Sequence, residues 1–251
     1  MFALSDIHVD YTVNARWVEN LSTIDYQDDL LILAGDVSDS LTRIEQCLRA
    51  FVRRFAKVLF VPGNHDLWVM RSPAAATSLG KFGDICAAAE MVGVSMSTFR
   101  RGPLSVVPLL SWYDFSFGPP SEHLRQIWMD FVACRWPADW EPSDITTYFL
   151  GLNNHTHAPA DGMTISFSHF LPRVDLMPTF IPPEYRTLYP VLGSVRLDEQ
   201  IRAIGSTLHV YGHSHVNRRV TIDGVTYVNN AFAYPHEDHL SSRSLLCLHE
   251  M

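Results

Sequence analysis

Basic charge is in short supply in this chain of 251 residues: 19 lysines and arginines stand against 27 aspartates and glutamates, a net charge of −8. Without an excess of cations there is no field to hold a phosphate backbone or an anionic membrane, so neither nucleic acid nor a membrane is an expected partner. Cysteine is scarce as well. Cys47, Cys86, Cys134 and Cys247 are widely spaced and form no C-x-x-C pair, which points to buried free thiols rather than the dense disulfide framework of small secreted domains. No apolar run reaches the length of a membrane span. The opening "MFALSDIHVD" brings Asp6 in too early for a secretory signal, and a cytoplasmic protein is the expectation. Internal repeats and low-complexity linkers are also missing.

What the chain does have is apolar content, 47% of its residues, enough for one domain spanning 1–251. Short apolar runs end repeatedly in polar turns: "MFALSD", "LLILAGD", "KVLFVPGNHD", "LSVVPLLSW", "GMTISFSH" and "TLHVYGHSH". Buried strands with loops at their C-terminal tips have this pattern. Between them, "LTRIEQCLRAFVRRF" places Ile44, Leu48, Phe51 and Phe55 on one helical stripe, and residues 73–93 and 121–136 also read as helical. The alternation predicts α/β layers. Asp223-Gly224, between two β-type runs, predicts a hairpin. Residues 112–149 collect aromatics around Pro119, Pro120, Pro137 and Pro142, and part of this stretch is expected to form a cap-like insertion over a pocket.

The strand tips carry Asp6-Ile7-His8, Gly35-Asp36, Gly63-Asn64-His65-Asp66, His169 and Gly212-His213-Ser214-His215. Any one block reads as an ordinary turn or a structural histidine. Together they make a mixed imidazole and carboxylate set, which suits Mn, Fe or Zn better than Ca or Mg. Along a strand, D-x-H and H-x-H would put both side chains of each pair on one face.

In order and spacing, D-x-H, G-D, G-N-H-D, H and G-H-x-H resemble the calcineurin-like metallophosphoesterase family across residues 6–215. The resemblance implies a four-layer αββα sandwich of two mixed β-sheets flanked by helices, with a dinuclear metal site at the C-terminal ends of strands. Carried over by position, Asp6, His8 and His215 would ligate one divalent ion and Asn64, His169 and His213 the other, with Asp36 bridging. His65 would protonate the leaving oxygen and Asp66 would hold its imidazole.

Two such ions about 3.5 to 4 Å apart present a bridging hydroxide and clamp a phosphate's non-bridging oxygens. Two aspartates leave the pair near about +2, or about +1 with hydroxide bound, so an anionic ester is drawn in. The first expectation is a phosphatase acting on the monoester of a small organic molecule. A phosphodiesterase with the same site, acting on a cyclic nucleotide or other small diester, is the alternative, and a non-catalytic scaffold or a DNA nuclease ranks lower. The protein Ser/Thr phosphatase branch has an arginine where this chain has Ser40, and G-N-H-E where it has Asp66, which argues against that branch. Arg173, Trp112, Tyr113, Asn230, Tyr234 and His236 are candidate substrate contacts. His155 and His157 are expected to end a helix rather than bind metal, and His123, His209, His239 and His249 to be structural or solvated.

Overall fold

The computed structural model describes residues 1–71, 77–153, 162–237 and 239–250. Strands β1 (Phe2–Leu4), β2 (Leu30–Ala34) and β3 (Lys57–Val61) run parallel, and β10 (Leu246–Cys247) pairs antiparallel with β1. The second sheet has the order β4-β5-β6-β7-β9-β8, from β4 (Phe99–Arg101), β5 (Leu104–Pro108), β6 (Met163–Phe167), β7 (Leu208–Tyr211), β8 (Arg218–Ile222) and β9 (Val225–Asn229). Its middle strands are parallel and its two edge strands antiparallel. The β8–β9 hairpin turns on Asp223 and Gly224, both at positive φ (48° and 84°), as a two-residue primed turn requires.

The two sheets face each other. Ala3, Ile32, Ala34, Leu59 and Val61 pack against Val106, Ile165, Phe167, Val210 and Val228 in one core cluster. Strands buried on both faces explain the unbroken apolar runs. Helices α1 (Thr12–Asn20), α2 (Leu41–Val52) and α3 (Ser78–Val92) cover the outside of the first sheet, where Ile44, Leu48 and Phe51 meet Leu31, Leu33 and Phe60. On the far side, α6 (Pro142–Leu152) and α7 (Val195–Ala203) bring Leu150, Leu197 and Ile201 against Tyr211 and Tyr227. The result is the expected αββα sandwich.

The helix expected at 121–136 is two short ones, α4 (Glu122–Ile127) and α5 (Asp130–Ala133). Trp128 breaks them apart with extended backbone, and its indole N–H donates to Asp130 Oδ2 at 2.7 Å. All four cysteines are free; Cys47 and Cys134 are buried, while Cys247 is exposed on the edge strand β10. No helix among the described residues is long and apolar enough to cross a membrane. His155 and His157 lie outside the described residues.

Candidate active site

Five parallel strands, β1, β2, β3, β6 and β7, end on one side of the sandwich, and the motif residues lie just past those ends. Their arrival there depends on loop backbone and not on strand alternation. Asp6, His8, Asp36, His213 and His215 all have left-handed backbone, with φ between 40° and 67°. Side-chain-bearing residues avoid that region unless the surroundings enforce it, and such strain concentrates at functional sites. Here it is enforced by backbone pairing past the strand ends, with Asp6 N–H donating to Gly35 O and His8 N–H to Asp36 O. The glycines allow the close approach. A Cβ on Gly63 would stand 2.1 Å from Asp36 Oδ1, and one on Gly35 would stand 2.5 Å from His169 Nδ1.

Two overlapping clusters result: Asp6, His8, Asp36 and His215, and Asp36, His169 and His213, with donor atoms within 4.8 Å of one another in each. Hydrogen bonds outside the clusters fix which imidazole nitrogens face inward. His169 donates from Nδ1 to Ala34 O (3.0 Å) and His213 from Nε2 to Val191 O (3.1 Å). Their remaining nitrogens, both lone-pair acceptors, confront each other at 3.2 Å. Asn64 Oδ1, a third acceptor, stands 3.0 Å from His169 Nε2, and Asp36 Oδ1 stands 3.5 Å from it. Acceptors turned toward one another make a space that suits a cation.

The other cluster is similar. Glu237 Oε2 takes Nδ1–H of His215 at 2.7 Å, which turns His215 Nε2 toward His8 Nε2 (3.2 Å) and Asp6 Oδ1 (3.3 Å). Burial pushes His8, His169 and His213 down, the first and last of them well below the ordinary histidine range, which favours their neutral, lone-pair-bearing form. His215 goes the other way: burial opposes its charge, yet Asp6 and Glu237 raise it to about 9. A positive charge is favoured where that ring points. The nitrogen and oxygen donors of both clusters suit a pair of divalent ions.

His65 reaches the same space from the turn after β3. Its ring stacks on Trp68, with centroids 3.7 Å apart, and its Nε2 lies 3.3 Å from the Tyr234 hydroxyl and 3.9 Å from Asp36 Oδ2. Burial, followed by the nearness of His215 and His169, lowers its pKa to about 3. Asp66 does not touch that ring. Its carboxylate accepts the backbone N–H groups of Asp36, Val37, Ser38 and Gly63 at 2.8 to 2.9 Å, so it ties the second and third motif loops together.

Above these residues opens a cavity of about 900 Å³. Ile127, Trp128 and Met129 form one wall, Met177, Phe180, Ile181, Tyr185, Leu188 and Tyr189 another, and Tyr234, His236, Glu237 and His239 a third. Of the candidate contacts, Tyr234 and His236 are therefore at the cavity. Trp112 and Tyr113 are instead in the core at 1% exposure. Asn230 is buried and donates to Ala3 O and Ser244 O. Arg173 is held by Asp175, Asp198 and Asp223, which a guanidinium prefers over a distant, screened anion. Residues 177–192 carried the missed wall, and their signal was "MPTFIPPEYRTLYPVL", aromatics among prolines with no strand or helix period.

Across residues 2–217 the sequence matches the calcineurin-like phosphoesterase family. The chain is a calcineurin-like phosphoesterase. Among curated proteins it is similar to [acyl-carrier-protein] phosphodiesterase PptH of Mycobacterium tuberculosis (strain ATCC 25618 / H37Rv), 27% identical over 262 residues, covering 94% of this chain and 78% of PptH. The crystal structure of that phosphopantetheinyl hydrolase superposes with a TM-score of 0.75 at 24% identity, covering 95% of this chain and 90% of that one. TT1561 of Thermus thermophilus is a more distant neighbour at 15% identity and a TM-score of 0.48, covering 92% of this chain and 88% of that one.

Proposed function

We propose that this phosphoesterase hydrolyses a phosphodiester with a long, flexible arm, using two divalent ions of the Mn, Fe or Zn type. The observation that carries the reading is the charge of the cavity wall. No lysine or arginine lines it among the described residues, and Arg173, the guanidinium expected to meet a phosphate oxygen, is committed to three aspartates. A site near about +1 is neutralised by a diester monoanion and overfilled by a monoester dianion, which calls for further cations. The expected order, monoester first and diester second, is thereby reversed.

Bound in the two clusters, the ions would supply a nucleophile from water and a clamp on the non-bridging oxygens. The protein's own groups do the rest. Asp6, His8, Asp36 and His215 would hold one ion, and Asp36, Asn64, His169 and His213 the other. Burial keeps His65 neutral, with a pKa of about 3, and the negative charge of a bound ester would raise it. Once protonated, the ring would pass the proton from Nε2 to the leaving oxygen, which would then take the place of the Tyr234 hydroxyl now 3.3 Å from that nitrogen. The cavity accommodates the arm. PptH is named for an ester of acyl-carrier protein and for the phosphopantetheinyl group, and an ester of that class, a flexible arm joined through phosphate to a larger body, is the substrate we propose here.

Initial rates on bis-para-nitrophenyl phosphate and para-nitrophenyl phosphate, with Mn²⁺ returned to metal-stripped protein, test the reading. Metal-dependent preference for the diester is expected, followed by release of the arm from a phosphopantetheinylated carrier protein. Preference for the monoester would restore the phosphatase reading, and metal binding without turnover of either ester would leave a scaffold.

A further inference from the structure

Asp130, at the start of α5, is 2% exposed. Its Oδ1 accepts the Trp68 indole N–H at 2.7 Å and the Asn64 amide N–H at 2.9 Å, and its Oδ2 accepts the Trp128 indole N–H at 2.7 Å. A carboxylate buried among aromatic rings is costly unless donors surround it, and an apolar residue would fill the same volume without that cost. What the carboxylate adds is that it only accepts.

That property decides the orientation of Asn64. An asparagine amide has nearly the same shape turned end for end, but one end donates and the other accepts. Asn64 stands between Asp130 and His169. Since Asp130 admits only the NH₂ end, Oδ1 must point toward His169 Nε2, 3.0 Å away, where it can ligate a cation. Turned round, Asn64 would offer the ion an NH₂ group that cannot bind it. The same carboxylate anchors Trp68, on which the His65 ring stacks.

We propose that Asp130 is a positioning residue for the reaction: it locks Asn64 with its oxygen toward the metal site and, through Trp68, seats His65. The proposal rests on the dimetal reading above. In Asp130→Asn position 130 no longer admits only the NH₂ end: with its own NH₂ toward Asn64 it pairs with Asn64 Oδ1 and turns the Asn64 amide round, at almost no change in volume.

The test is calorimetric titration of metal-stripped protein with Mn²⁺. One of two binding events is expected to weaken about 10- to 100-fold and the other to persist, with the melting temperature of the metal-stripped variant near that of the unmodified protein. In an Asn64→Ala background, Asp130→Asn should add no further loss, an outcome that general loosening of the core would not produce. Should Asp130→Asn fail to fold, Asp130→Ala leaves room for water to accept from the stranded N–H groups, and since water can also donate to Asn64 Oδ1 the orientation is no longer fixed and the same loss is expected. Unchanged Mn²⁺ affinity, or the full loss repeated in the Asn64→Ala background, overturns the proposal. Failure of the unmodified protein to take up Mn²⁺ would overturn the dimetal reading and this inference with it, so the two failures are told apart.

Discussion

His65 stands between a rigid indole and a phenol, and both partners restrict where its ring can go. A stacked ring with a hydrogen-bonded Nε2 has little freedom left, which suits a group that must meet one oxygen of one ester. His65→Ala is expected to lower kcat about 10²- to 10⁴-fold on alkyl esters and far less on para-nitrophenyl esters, whose leaving group needs no proton. Parallel kinetics on the two leaving groups check this, and an equal loss on both would make His65 a binding residue. The residue types and their order were legible in the sequence because metal ligation needs particular atoms at particular loop positions. Roles set by hydrogen bonds between distant loops were not. Asp66 looked like a partner for the neighbouring ring, yet four backbone N–H groups from two loops claim it. Arg173 looked available, but its partners Asp198 and Asp223 are 25 and 50 positions away in the chain.

At the scale of elements, the strands and α2 were readable from periodicity, since burial on both faces or along one stripe leaves a regular trace. The cavity walls left none. The segment 177–192 follows a 3₁₀ turn over Val174–Leu176 and contains another over Pro183–Val191, and its shape is set by Pro182, Pro183 and Pro190 rather than by a repeating apolar face. Aromatic content alone does not separate wall from core: of residues 112–149, Ile127, Trp128, Met129 and Asp130 line the cavity, while Trp112, Tyr113 and Phe149 are buried in the core. Phe180 and Tyr185 keep 70% and 59% exposure at the mouth, surface that the arm would cover. Burying a large aromatic ring contributes roughly 1.5–3 kcal/mol, and about 1.4 kcal/mol is tenfold in affinity. Phe180→Ser is accordingly expected to raise KM for a long-arm diester about tenfold or more, with kcat retained. Steady-state kinetics on that diester decide it: a fall in kcat with KM unchanged would place Phe180 at the reacting centre and not along the arm.

For the molecule as a whole, the sandwich buries a histidine in its sheets as well as those at the site, and this ties its stability to pH. His209 on β7 is 0% exposed, with Nδ1 2.8 Å from Ser166 Oγ and Nε2 3.0 Å from Ser168 Oγ. Ser168 Oγ already donates to Phe170 O, so it accepts from Nε2–H, and Nδ1 in turn accepts from Ser166. The neutral ring is thus fully satisfied, and burial pushes its pKa from 6.5 to about 3. Between those two values the unfolded chain binds a proton that the folded chain refuses. The stability His209 contributes is complete above 6.5 and falls with decreasing pH toward 3, by about 1.4 kcal/mol per pH unit. His209→Gln keeps a donor and an acceptor but cannot titrate. Urea unfolding at about pH 7 and about pH 5 should show the gap between the unmodified protein and the variant narrowing by about 2 kcal/mol at the lower pH. Parallel stability curves would mean that the acid sensitivity of the fold arises elsewhere.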